Sequence, residues 1–472
     1  VTPVFDDDDW WADADGKAYP RAGGNGSLDW YLLAYGHDYT AALHDYTLVG
    51  GRIPVFPRYA SGIWFTRWYD INNVDTRKEV EDYVSRDIPL DVWVYDMNWH
   101  MKNDWTGYTF DPHLLPYPSD TLAFLHHKGL HIAANLHDAD GVNNWEATFP
   151  DVCHAMGLDP ANTSRVDFTL VNKTYVEALE DIVLGTLEKM GMDFWWIDWQ
   201  QGESGGGTTG GKMNPTIWTD KMRVTDHKRR GSNKRGLVLA RFGGLGNHRY
   251  QVGFSGDVAG LTWSNLAYQP HFSATASNVG YGFWSHDIEG PGSDHEMYTR
   301  WVQWGAFSGV MRAHERGMSA GSCKNPFPTD DENTCSTVQI WNSPRKNFEA
   351  MRRALRERSR LTPYIYTMTR AAFDTGVSII RPLYYEWPEL EEAYLSDTEG
   401  NFPEYMFGDD LLAAPVVTQS DNTTMATQTV WLPPGLWVER DTGAVRVGPT
   451  MLTKAYSLDE IPIFVRGGAV VP

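Results

Sequence analysis

Six polar side chains close short apolar runs along this chain. Asp96 ends VWVYD, Asp198 ends FWWID, Arg241 ends LVLAR, Asp257 ends GFSGD, Asp287 ends FWSHD and His314 ends VMRAH. A carboxylate set at the edge of an apolar run is costly to bury unless something pairs with it or uses it. Four such aspartates in one chain therefore point to chemistry, although any single one has an ordinary alternative as the cap of the next helix. Two carboxyl groups facing one bond suit glycoside cleavage: one attacks or stabilises the anomeric carbon, and the other protonates the leaving oxygen and later deprotonates water. The rings of Trp195, Trp196 and Trp199 around Asp198, with Phe283 and Trp284 before Asp287, would wall a sugar pocket and keep water out. Side chains alternate along a strand, so only one of Trp195 and Trp196 lines that pocket while the other packs against helices.

The elements that position these residues repeat. From residue 60 onward, aromatic or β-branched runs at 62–68, 92–98, 131–137, 194–199, 237–241, 251–256, 280–287 and 309–314 alternate with segments of helical spacing at 74–85, 175–190, 215–230 and 295–306. Eight strands with intervening helices suit a closed (β/α)8 TIM barrel over residues 56–376, with 344–375 as the last outer helix. The link between the fifth and sixth strands is too short for a full helix. Such barrels carry their reactive groups at the carboxyl ends of the strands, so all six polar residues are expected at one mouth. Residues 1–55 read as a lead-in with a short strand at 30–35. Residues 377–472 carry short strands between Gly, Pro and Asp turns and predict a small C-terminal β-sandwich domain.

FWWIDWQQG at 194–202 resembles the nucleophile signature of glycoside hydrolase family 31. It is joined in the family's order by VYDMNW around Asp96, LARFGG around Arg241, GFSGD ending at Asp257, WSHDIEG around Asp287 and RWVQWGAFSGVMRAHE near His314. FGDDLLAAPVV, LPPGLW and IPIFVRGGAVVP extend the likeness into the tail. The resemblance implies a retaining α-glycosidase in which Asp198 is the nucleophile and Asp257 the general acid/base. It makes Asp96, Arg241, Asp287 and His314 polar contacts to the sugar; the aromatic flanks, independently of the resemblance, would put Trp196, Trp199 and Trp284 beside it. It implies terminal α-glycosides, α-glucosides foremost, or oligosaccharides as substrates, and no cofactor. Many members carry Met-Asn-Glu after the nucleophile where this chain has Trp199, Gln200 and Gln201. It thus resembles a branch with a DWQQG signature, whose sugar and linkage the sequence leaves open. Family members also carry an N-terminal β-sandwich, of which residues 1–55 would be the last part.

Composition narrows the partners. With 61 acidic against 40 basic side chains, the net charge of −21 argues against nucleic acid, whose phosphates need clustered Lys and Arg. No apolar run approaches the roughly 20 residues that span a bilayer, so no membrane segment is expected. Aromatic residues at 13% fit both sugar stacking and a large core. A metal-dependent hydrolase would need clustered His and acid ligands, for which His137, His286 and His314 are the candidates; strand-end histidines more often bond substrate or backbone, and no metal is expected. The DADG segments at 13–16 and 138–141 read as turns, lacking full calcium-loop spacing. Cys323 and Cys335 are spaced to close a small disulfide, with Cys153 left over. Together with acceptor triplets at Asn25, Asn162, Asn172 and Asn422, they point to a secreted or secretory-pathway protein. A transglycosylase on the same fold and a non-catalytic carbohydrate-binding protein are the alternatives, and oligomeric state is left open.

Overall fold

The computed structural model describes residues 31–68, 70–101, 104–198, 215–229, 235–241, 245–250, 252–257, 262–290, 294–315, 338–395, 403–421 and 424–472. Trp199, Cys323, Cys335, Asn25, Asn422 and the first DADG segment lie outside them.

Eight strands form one sheet: β1 (Ile63–Arg67), β2 (Val92–Tyr95), β3 (His131–Leu136), β4 (Phe194–Ile197), β5 (Val238–Arg241), β6 (Val252–Phe254), β7 (Trp284–Ser285) and β8 (Met311–Glu315). Their spatial order is β8-β1-β2-β3-β4-β5-β6-β7, so neighbours in sequence are neighbours in space, the order of a (β/α)8 barrel. All eight coincide with the runs read from the sequence. By compactness the chain divides into two units, residues 1–31 with 65–253 and residues 32–64 with 254–472. In the first, β2 pairs parallel with β3 (Val92 opposite His131), β3 with β4 (Ala133 opposite Phe194) and β4 with β5 (Trp195 opposite Val238). VWVY, FWWI and VLAR are buried at every position, as expected for parallel strands covered on both faces.

The helices start where polar side chains can satisfy free backbone N–H groups. Asn72 caps the helix Asn73–Ser85 by accepting from the N–H groups of Val74 and Asp75 at 2.8 and 2.9 Å. Asp294 caps the second unit's Met297 N–H at 2.9 Å, opening the helix His295–Ala306. The expected helix at 175–190 is present but interrupted: Lys173–Ala178 runs through a π-helical turn, Leu179–Leu184, into Gly185–Met190. Among the described residues between β5 and β6 there is a 3-10 turn, Asn247–Arg249, and no longer helix, as the short link predicts. Residues 31–35 pair with no strand, and the lead-in instead forms the helix Tyr39–Gly50, opened by the side chain of Asp38 accepting from the N–H of Ala41. The Asp38 cap supplies a local start signal that the aromatic run before it obscures.

The 31-residue helix Arg345–Thr375 is anchored to the second unit by one buried arginine. Arg358 donates to the carbonyls of Ser61, Ala306, Ser308 and Gly309, tying the helix to the backbone that leads into β1 and β8. The helix ends at Gly376, whose φ of 77° is the left-handed cap conformation that glycine adopts without strain. Beyond it a six-stranded antiparallel sheet is ordered β9 (Ile380–Arg381), β10 (Tyr405–Phe407), β11 (Leu411–Ala413), β14 (Ile463–Arg466), β12 (Ala426–Glu439), β13 (Val445–Tyr456). Its core gathers Leu383, Met406, Leu412, Trp431, Trp437 and Phe464. Burying each such side chain contributes roughly 1.5–3 kcal/mol. Among the described residues no helix is long and apolar enough to cross a membrane.

Candidate active site

Asp198 is the first residue beyond β4, and its N–H donates to the Leu136 carbonyl at 3.1 Å, extending the β3–β4 ladder by one step. Only 6% of it is exposed. Arg241, the last residue of β5, donates from Nε to Asp198 Oδ1. The Asn135 amide donates to Asp198 Oδ2 at 3.1 Å, and His137 Nε2 stands 3.4 Å from the same oxygen. Burial alone would raise the Asp198 carboxyl. The hydrogen bond and charge of His137, with the charge and hydrogen bond of Arg241, outweigh burial and hold it well below the usual carboxylate range. Asp198 is therefore an anion clamped at both oxygens.

Asp96 joins the same cluster. It follows β2, its N–H donates to the Arg67 carbonyl at 3.2 Å, and its Oδ1 accepts from Met97 N at 2.7 Å and from Asn135 Nδ2 at 3.0 Å. Trp196 pairs with Asn135 across β3–β4 and so shares its face, while Trp195 turns the other way to donate to Glu188 on the helix Gly185–Met190 at 3.0 Å. Pleat alternation thus assigns Trp196 to the Asn135 face. His137 lies against Trp105, ring centroids 4.0 Å apart. The following residue, Asp138, opens a 3-10 turn and is pinned by Arg223 at 2.7 Å and the Tyr108 hydroxyl at 2.8 Å, so the second DADG segment is a turn locked by an ion pair.

The second unit holds its own cluster. Asp287 is fully buried, with Arg312 donating to Oδ1 and His314 Nδ1 lying 3.0 Å from Oδ2. Arg312 also donates to Ser285 Oγ at 3.1 Å, and its guanidinium lies 5.4 Å from the Phe254 ring centroid. The chain after β6 turns at Gly256, where φ is 73°, and reaches Asp257, which is exposed. Ser255 ties the β6 and β7 ends together: its N–H donates to the Ser285 carbonyl at 3.0 Å, and its hydroxyl accepts from Asp287 N at 3.3 Å.

Trp284, expected beside the sugar, packs on Phe272 of the helix Trp263–Ala276 at 4.9 Å and on Tyr281 at 5.5 Å. His286 turns the same way, with Nε2 2.8 Å from Ser273 Oγ, and burial pushes its imidazole down to about 3. Alternation places Ser285, with its small hydroxyl, on the Asp287 face and sends the larger Trp284 and His286 rings to the helices. Arg241, expected at the sugar, donates from Nε to Asp198. Sequence reading missed Asn135, His137's contact with Asp198, and Arg312. Arg312 could have been found, since it precedes His314 by two positions on β8 and must share its face. Nothing local marks Asn135 inside the run HIAANL.

Donor atoms of Asp287, Glu289 and His314 lie within 4.8 Å of one another, close enough to hold a cation, but the Arg312 guanidinium already places a positive charge on Asp287. Such a cation would compete with that guanidinium.

A strand-ordered barrel with an ionised, clamped carboxylate after β4 meets its counterpart among known proteins. Residues 53–368 match the glycosyl hydrolases family 31 TIM-barrel domain, and residues 376–471 match the glycosyl hydrolase family 31 C-terminal domain. The chain belongs to glycosyl hydrolase family 31. Within the family it is similar to an alpha-xylosidase of Saccharolobus solfataricus, 27% identical over 473 residues, which cover 94% of this chain and 59% of that protein. It is also similar to alpha-glucosidase 2 of Bacillus thermoamyloliquefaciens, 24% identical, with 94% of this chain and 57% of that protein covered. The chain therefore spans less than two thirds of the length of either curated relative. A family 31 alpha-xylosidase from a soil metagenome, solved with xylose, shares the fold at a TM-score of 0.73 and 22% identity, covering 91% of this chain and 66% of its own.

Proposed function

We propose that this family 31 chain is the catalytic part of a retaining α-glycosidase that removes terminal α-linked sugars, glucose or xylose, from oligosaccharides or small glycosides. The observation that carries the reading is Asp198: a buried carboxylate after β4, kept anionic by Arg241 and His137, is what a nucleophile toward an anomeric carbon requires. In this reading Asp257, exposed to solvent after β6, donates its proton to the leaving oxygen as Asp198 forms a covalent bond to the anomeric carbon. The Asp257 carboxylate then takes a proton from water, the hydroxide oxygen bonds to the same carbon, and Asp198 leaves with configuration retained. Asp96, Asp287 and His314 hold ring hydroxyls, so binding energy is expressed in the oxocarbenium-like transition state.

In this proposal the DWQQG run resembles that of a branch of the family whose sugar and linkage the sequence leaves open. The net charge of −21 suits a neutral glycoside and disfavours nucleic acid. The exposed acceptor triplet at Asn162 supports a secretory compartment, checked by whether a glycosidase that strips N-linked glycans lowers the mass of the native protein.

The test is nitrophenol release from a panel of p-nitrophenyl α-glycosides, with Asp198→Ala as control, and labelling by a 5-fluoro-glycosyl fluoride. Release on an α-glucoside or α-xyloside, lost in the variant, with the label on the peptide containing Asp198, is the expected result. Label on another residue, or undiminished activity in Asp198→Ala, refutes the assignment. Chromatography of products at high substrate separates transfer to a second sugar from hydrolysis.

A further inference from the structure

The geometry points to Asn135 as a positioning residue that sets the nucleophile Asp198 in register with the sugar-binding carboxylate Asp96; this rests on the functional reading above. One amide nitrogen serves both acids. Asn135 Nδ2 has two hydrogens, and they go to Asp96 Oδ1 at 3.0 Å and Asp198 Oδ2 at 3.1 Å. The opposite amide orientation would set a carbonyl oxygen against two carboxylates, so chemistry alone decides which end faces them.

Asn135 is itself held from behind. It lies within β3, pairs with Trp196 of β4, is 1% exposed, and accepts at its backbone carbonyl from Trp99 Nε1 at 2.9 Å. Trp99 is fixed edge-on against Phe110 at 5.0 Å. Asp96 Oδ1 is fixed in turn by Met97 N. The amide is thus the link between two anchored oxygens. A fully buried parallel strand would ordinarily place an aliphatic side chain here. The side-chain oxygen Oδ1 of Asn135 has no hydrogen-bond partner among the described residues, which a group retained for stability would avoid. The amide serves the carboxylates and leaves its own acceptor unmet.

Two consequences follow for the reaction. The Asp198 oxygen is held at one distance from a sugar whose hydroxyls Asp96 grips. The amide dipole also favours the ionised form of Asp198, adding to Arg241 and His137.

The experiment is steady-state kinetics of full-length wild type, Asn135→Ala and Asn135→Asp on the best aryl α-glycoside across pH, with folding followed by circular dichroism. For Asn135→Ala we expect kcat to fall about 100-fold, the scale of an ångström of misplacement. The acidic limb of kcat/KM should move to higher pH, because Asp198 loses a donor that favours its anion. Asn135→Asp preserves shape but brings a third carboxyl; its activity should drop further as pH rises and that group ionises. Should Asn135→Ala not fold, Asn135→Asp decides alone. A wild-type kcat and acidic limb in whichever variant folds overturns the proposal. Retained activity in Asp198→Ala would instead overturn the functional reading beneath it.

Discussion

Asp198 and Arg241 are each nearly buried, so each depends on the other. Removing one partner of a buried ion pair leaves an uncompensated charge and costs about 3–5 kcal/mol. Arg241→Met should therefore destabilise the protein by that order at pH 7. The pH dependence follows from the direction of the shift. The folded-state carboxyl of Asp198 lies below its unfolded value, so its contribution is complete above the unfolded pKa and is lost as pH falls through the folded one. The gap between wild type and Arg241→Met should therefore narrow from pH 7 to pH 3 in urea melts. A constant gap would show that Arg241 stabilises through packing alone. At the same scale, burial keeps His286 neutral, so His286→Phe should leave the pH profile of activity unmoved between pH 5 and 8.

Single side chains also hold whole elements. Arg358 satisfies four carbonyls in the second unit with one guanidinium, a fork that an ammonium group cannot reproduce. Arg358→Met should cost at least about 3 kcal/mol, because buried carbonyls lose their donors at roughly 1–3 kcal/mol each. Arg358→Lys should recover only part of that in thermal melts. Since the four carbonyls that Arg358 serves belong to none of the candidate site residues, activity per folded molecule at low temperature should stay near wild type. In the first unit, Arg223 plays a related part by clamping Asp138 at 2.7 Å and Glu180 at 3.3 Å. Glu180 sits in the π-helical turn Leu179–Leu184, so that irregularity in an otherwise regular helix coincides with a buried ion pair.

For the molecule as a whole, the C-terminal sheet carries an acid that works against stability. Glu404 is buried, accepts from Trp431 N at 3.0 Å with one oxygen, and burial raises its carboxyl well above the ordinary value. The unfolded chain loses this proton first as pH rises. Its contribution is therefore complete below the unfolded pKa and declines on the way up to the folded one, at about 1.4 kcal/mol per pH unit of the shift. Glu404→Gln keeps the acceptor and removes the proton. It should match wild type near pH 4 and melt at a higher temperature at pH 8; equal melting temperatures at both values would refute the buried neutral acid.

The sequence by itself determined the eight strands, their order and the polar residue at six of their carboxyl ends. A parallel barrel strand is buried on both faces, so it stands out as a continuous apolar run, and its first polar residue marks where the run reaches the mouth. Family resemblance was legible for the same reason, since the motifs lie at those strand ends. The tertiary structure alone decided which way each side chain faces and what it meets. Alternation says that Trp195 and Trp196, or Trp284 and Ser285, point oppositely, but a run apolar at every position does not say which one points inward. The pairing of Arg241 with Asp198 joins residues 43 apart, and that of Asn135 with Asp96 joins residues 39 apart. No local pattern encodes such contacts, because they arise only when strands distant in sequence become neighbours in the sheet.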